Sequence, residues 1–166
     1  NNALNIMIYA GIAAFFIICV FMIGFYKLPG VTACITLFMQ MIIQMLAISI
    51  PQYTLTLPGI AGIILTLGMT VDTNIITSER ISDELKKGAS IKGAVTYGYK
   101  NAFSSVFDGN VTAAIIAAIL MALGSGTMLS FGYTLMIGMI VNLFVGIWVS
   151  KHLLLSFIEN KKFNDM

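Results

Sequence analysis

The sequence has 166 residues, 58% of them hydrophobic and 10% charged, with a mean hydropathy of +0.95 and a formal net charge of +2. Soluble domains carry about 25% charged residues, so nine basic and seven acidic side chains cannot coat a globule of this composition. Disorder, a collagen-like chain, a disulfide scaffold and an ordinary soluble enzyme are excluded, and the composition specifies an integral membrane protein.

A helix crosses a bilayer with about 20 mainly apolar residues. Such stretches follow one another at 4–26, 31–50, 57–77, 105–123 and 128–150. The expected fold is therefore all-α, a single transmembrane domain of five helices over 1–166. Lys27, Leu28, Pro29 and Gly30 stop the first helix and start the second, since a proline fits only the first turn of a helix and a glycine weakens its interior. Cys19 and Cys34 lie inside apolar stretches and read as small hydrophobes. Pro51 and Pro58 bracket the turn between the second and third helices, and Gly124, Ser125 and Gly126 turn the fourth into the fifth.

Between the third and fourth helices lies the only sizeable polar segment, 79–103. Ile81 and Leu85 repeat at helical spacing before Gly88 breaks the pattern, and Ser90 is placed to cap a second helix carrying Ile91, Ala94, Val95 and Ala102. This predicts the third helix continuing out of the membrane, then a separate amphipathic helix lying in its plane. The polar tail 151–166 follows the last helix.

All nine basic residues fall in the first and third connections and the tail: Lys27, then Arg80, Lys86, Lys87, Lys92 and Lys100, then Lys151, Lys161 and Lys162. The second and fourth connections carry no charge. The positive-inside rule assigns the basic side to the cytoplasm, with the C-terminus there and the N-terminus outside. With the N-terminus outside and no signal sequence ahead of the first span, further chain upstream is expected.

The informative residues are acids where lipid belongs. Asp72 lies in the third span and Asp108 early in the fourth. A charge at the bilayer centre costs from about 2.5 to more than 10 kcal/mol, so such a residue is expected to face the bundle or a water-filled cavity. A carboxyl there avoids the cost by keeping its proton, which suits a proton carrier; the plain alternative is a carboxyl that only bonds helices together. Asp72, Thr73 and Asn74 form one D-x-N unit, and Asp108, Gly109 and Asn110 a second. Rows of small and polar residues run at four-residue spacing: Thr32, Thr36, Gln40, Gln44; then Pro58, Gly62, Thr66, Thr70, Asn74, Ser78; then Thr134, Gly138, Asn142, Gly146, Ser150. Such rows let helices approach closely and hydrogen-bond across the contact, and they are expected to aim a polar interior at the two aspartates, with Gly68, Thr70, Thr112 and Asn142 in support. No Lys or Arg lies inside any span, so an ionised aspartate needs a counter-charge from water, an ion or another chain. His152 stands alone, and no nucleotide loop, metal-ligand spacing or activated nucleophile is present, so an enzyme is not expected, nor a cofactor, a metal site or a nucleic-acid partner.

Tyr26-Lys27-Leu28-Pro29-Gly30, Leu57-Pro58-Gly59-Ile60-Ala61-Gly62 and Gly68-Met69-Thr70-Val71-Asp72-Thr73-Asn74, with Glu79-Arg80-Ile81, closely resemble the C-terminal membrane half of the SecD family of protein-export subunits, in the RND superfamily. So do Gly98-Tyr99, Ala102-Phe103 and Phe107-Asp108-Gly109-Asn110-Val111-Thr112. The resemblance implies spans two to six of a six-span protein, half of an RND-type bundle, with a first span and a large external domain upstream. It implies a bacterial plasma-membrane protein that works with SecF, separate or fused, beside the SecYEG channel and its SecA motor, with YajC as a further partner and H+ or Na+ as the coupling ion for preprotein export. In that picture Asp72 is the coupling-ion carrier, Asn74, Asp108 and Asn110 are its polar neighbours, and SecF supplies an arginine and an aspartate. The usual D-A-N appears here as D-T-N and D-G-N, Ala113 replaces a common threonine, and Leu129-Ser130 replaces a usual Lys-Gly. Two other readings are a different RND-type pump for small molecules or lipids, and a non-conducting scaffold in a membrane complex.

Overall fold

The computed structural model describes residues 2–50 and 54–164, with side chains as far as Lys161. Every regular element in that range is helical: α1 (Asn2–Tyr26), α2 (Leu28–Ser49), α3 (Leu57–Lys86), α4 (Ile91–Leu123), α5 (Thr127–Asn142), a π-helical turn (Leu143–Val149) and α6 (Ser150–Asn164). The last three run on without a break, so the described residues hold five helices long and apolar enough to cross a membrane. Pro51 and the tail beyond Asn164 lie outside the described residues, as does the side chain of Lys162.

The turns follow from the residues at them. A single residue, Lys27, joins α1 to α2 with φ of 51°. Gly30 then sits against the backbone of Met22, where any side chain would strike the Met22 carbonyl. From that close start the two helices run back antiparallel, with Cys34 donating to the Cys19 carbonyl at 3.6 Å and Phe15 facing Phe38 at 6.5 Å. Thr56 caps α3 by accepting from the Gly59 amide, ahead of Pro58 in the first turn. Ser90 caps α4 the same way at Gly93.

The structure corrects the expectation of a separate in-plane helix. Ile91 to Leu123 is one helix of 33 residues with no break near 103–105, since nothing there is a glycine or proline that would end it. At about 1.5 Å per residue it is about 50 Å long, against a hydrocarbon core of about 30 Å, so its first turns rise beyond the apolar layer. α3 extends likewise to Lys86, and the two meet in the short turn 87–90.

Helices α3, α4 and α5 form the centre, α2 closes one side, and α1 lies at the edge. In α1 only Met22 is buried; its sequence has no row of small or polar residues with which to pack. Across the centre, α3 and α5 run parallel and interlock. A side chain at Gly62 would overlap Thr134, and one at Gly138 would overlap Thr66. The three four-residue rows are buried from end to end apart from Pro58, which is half-buried. On a straight α-helix such a row drifts by about 40° per step. In the last span the wider π-helical turn advances by less than 100° per residue and takes back part of that drift, so Gly146 and Ser150 still face inward.

Candidate functional site

The buried rows carry a hydrogen-bonded seam through the bundle. Near one end Gln44 of α2 donates to the Thr134 carbonyl of α5 at 3.1 Å and accepts from Thr66 of α3 at 3.0 Å. One turn along, Gln40 accepts from Thr70 at 2.6 Å and donates to the Gly138 carbonyl at 3.5 Å. Asn74 donates to the Thr70 carbonyl at 2.9 Å, and its side-chain oxygen accepts from Ser150 at 3.4 Å. Ser150 and Tyr99 of α4 share a 2.6 Å contact that closes the far end. Each such bond inside a membrane contributes about 0.6 kcal/mol; together they fix which residues of four helices stand level with one another.

Asn142 of α5 joins the two D-x-N units. Its amide nitrogen donates to Thr73 of α3 at 3.3 Å and to the Asn110 oxygen of α4 at 3.1 Å. Asn110 in turn donates to the Val106 carbonyl at 2.8 Å. The Asn142 oxygen is fully buried and has no donor among the described residues. It points toward Gly146, where a side chain would come within 2.7 Å of it. One carboxamide thus ties the two units across two antiparallel neighbours, which also pack at Gly98 on Ile81 nearer the basic end.

The two aspartates lie elsewhere. Asp72 and Asp108 are both exposed on the outside of the chain, while Asn74 and Asn110 are buried within it. The expectation that the polar rows aim at the carboxylates is therefore corrected. Residues two apart on a helix are separated by about 200°, so a D-x-N unit must send its acid and its amide to opposite sides. Of the predicted residues, Thr70, Asn74, Asn110 and Asn142 come together inside. Gly68, Asp72, Asp108 and Thr112 stay outside. Gly68 and Gly109 beside the aspartates have nothing within 4 Å of where a side chain would begin. Thr112 donates back to the Asp108 carbonyl at 2.9 Å, and neither carboxylate has a hydrogen bond or a cation among the described residues. Thr73, Gln40, Gln44 and Tyr99 were not singled out as site residues from the sequence. Three of them carry a legible signal: Gln40 and Gln44 belong to a four-residue row, and Thr73 adjoins another.

The basic connections meet at one end of the bundle. Tyr26 donates to Glu79 at 2.9 Å, Asn101 to Glu84 at 3.3 Å and Lys92 to Glu159 at 3.1 Å. These tie the first connection to the third and the third to the tail.

Comparison with known proteins identifies relatives of this arrangement. The family model described as protein export membrane protein SecD/SecF, C-terminal, matches residues 2–160. The SecD protein translocase subunit of Leptotrichia buccalis is 47% identical over 150 residues, covering 90% of this chain and 37% of that protein. The SecDF protein of Bacillus subtilis is 38% identical over 161 residues, covering 97% of this chain and 22% of its own length. The crystal structure of SecDF from Thermus thermophilus, a translocon-associated membrane protein, superposes with a TM-score of 0.89 at 29% identity, covering 95% of this chain and 22% of that one.

Proposed function

The chain belongs to the SecD/SecF family of protein-export membrane proteins, in its C-terminal part, and from that membership we propose that it is the membrane-embedded part of a SecD-like accessory subunit of the Sec translocase, coupling an ion gradient to preprotein export across the bacterial plasma membrane. The observation that carries the coupling is the placement of Asp72 and Asp108. Both are open to the outside of the chain, unpaired among the described residues, and adjoin the amide-bonded seam. A carboxylate is costly to leave bare against lipid, so in this reading a second protein covers the aspartates. The homologous SecF half, separate or fused, fits that place and supplies the cation the chain lacks.

In this reading Asp72 takes up a proton, or a sodium ion, when its partner cation withdraws, and gives it up when the cation returns. Asp108 tunes that exchange by like charge. Asn74, Asn110 and Asn142 do not carry the ion; they hold α3, α4 and α5 as one body, so that a change at the carboxylates moves the helices together. One charge crossing 100 mV supplies about 2.3 kcal/mol, enough to shift a two-state packing equilibrium. SecYEG and YajC are the partners on the translocase side.

The test is Asp72→Asn in the full-length protein, with preprotein export assayed in vesicles with and without a proton gradient. The gradient-stimulated part is expected to disappear while protein level holds. Export that keeps its gradient dependence would make Asp72 structural.

A further inference from the structure

A second polar feature lies at the basic end, between α4 and the last span, away from the aspartates. The 2.6 Å contact of Tyr99 with Ser150 places residues 99 and 150 side by side, so Lys100 and Lys151 also stand level. This is where both helices leave apolar sequence: no charged residue lies between Asp108 and the end of α4, nor from Thr127 to Ser150. The two lysines with His152 open onto a cleft of about 490 Å3, floored by Ile147 and walled by Phe103 and Trp148. That volume lies in the range of small-molecule sites.

Among the described residues, nothing compensates the charge in this cleft. No acidic side chain among them lines it, and neither lysine has an ion-pair partner among them. Its other polar groups are already used. Thr96 donates to the Lys92 carbonyl at 3.0 Å, and Tyr99 is bonded to Ser150. Glu159, farther along α6, is held by Lys92. The free donors are therefore cationic or imidazole nitrogens, a set that suits a phosphate.

On the other side of Trp148 the surface turns apolar. Phe144 and Trp148 stack at 6.4 Å, Trp148 meets His152 edge-on at 6.5 Å, and a groove of about 360 Å3 runs over Phe144, Val149 and Leu153. Exposed aromatic rings beside lysines at the end of an apolar span mark the headgroup level of a bilayer. A cationic cleft at that level, continuous with an apolar groove toward the lipid, matches a molecule with an anionic head and acyl tails.

We propose that the cleft between α4 and the last span binds an anionic phospholipid. Its headgroup phosphate sits between Lys100, Lys151 and His152, and an acyl chain lies along Phe144 and Trp148. Basic pockets between spans on the cytoplasmic side take such headgroups. The site fixes the unpaired basic end of the last span to the inner leaflet.

The test is native mass spectrometry of the intact protein with phosphatidylglycerol or phosphatidylcholine added. Retention of phosphatidylglycerol over phosphatidylcholine is expected. The Lys100→Gln, Lys151→Gln double variant should weaken phosphatidylglycerol retention about 30-fold, the effect of removing two cations near a charged surface. The corresponding Lys→Arg pair should restore it, which separates the site from misfolding. Lys86→Gln with Lys87→Gln removes equal charge from the α3 end and should leave retention unchanged. Equal retention of both lipids, or equal loss in the Lys86, Lys87 variant, would overturn the proposal. So would displacement of the lipid by inorganic phosphate alone. A photo-crosslinking residue in place of Trp148 should yield a lipid adduct in membranes; a protein adduct there would assign the cleft to a partner chain instead.

Discussion

An acid and an amide two positions apart on a helix serve two different neighbours, and this chain uses the pattern twice. Asn74 and Asn110 are spent on internal bonds, while Asp72 and Asp108 are left for something outside. The acids themselves were plain in the sequence as charges within apolar spans. Their direction was obscured by treating each unit as a single polar feature, although about 100° per residue already separates its ends. Asn142 is the internal residue that links the two units, since Thr73 of α3 and Asn110 of α4 share its amide. Asn142→Leu should destabilise the bundle by about 1–2 kcal/mol, by leaving Thr73 and Asn110 without their donor. Asp108→Asn, on the open face, should change stability by no more than about 0.5 kcal/mol. Unfolding titrations of both variants in mixed micelles would check the contrast.

Among elements, the parallel pair α3 and α5 sets the spacing of the bundle. Thr66 fits where Gly138 has no side chain, and Thr134 where Gly62 has none. Gly138→Ala should therefore cost about 1–3 kcal/mol through overpacking. Gly68→Ala meets open space and should leave the stability of the chain within about 0.5 kcal/mol of the parent. If a partner helix covers this face, the same Gly68→Ala change should weaken its co-purification while the thermal stability of the chain alone is unmoved. The four-residue rows made the packing faces of α2, α3 and α5 legible, because small and polar residues in an apolar span have few other uses. The length of α4 was less so. Lys92 and Lys100 suggested a polar segment distinct from the span, but a helix does not end at a change of polarity without a residue that stops it.

For the molecule as a whole, composition and the charge ledger carried the membrane assignment and the number of spans. The bonds at the basic end agree with that ledger, tying Tyr26 to Glu79 and Lys92 to Glu159. With the basic end in the cytoplasm, Ala89→Cys should react with an impermeant maleimide only after the inner face is exposed, and Ser125→Cys should react in intact spheroplasts. Reversed labelling would invert the orientation. The π-helical turn at Leu143–Val149 was not legible, since Gly146 within it reads as one more member of the small-residue row and no change of hydropathy marks it. Such a turn holds about one residue more than an α-helix needs over the same rise. It is slack in an otherwise taut rod. Loss of one residue there would tighten it to ordinary α-helix, because six residues at about 100° each span nearly the angle and rise of seven at the smaller π-helical advance. Thr134, Gly138 and Asn142 would stay beside their neighbours, and Ser150 would stay at Tyr99. The surplus residue is thus one that the last span can give up or take back while the seam of the bundle and its basic end keep their angular phase.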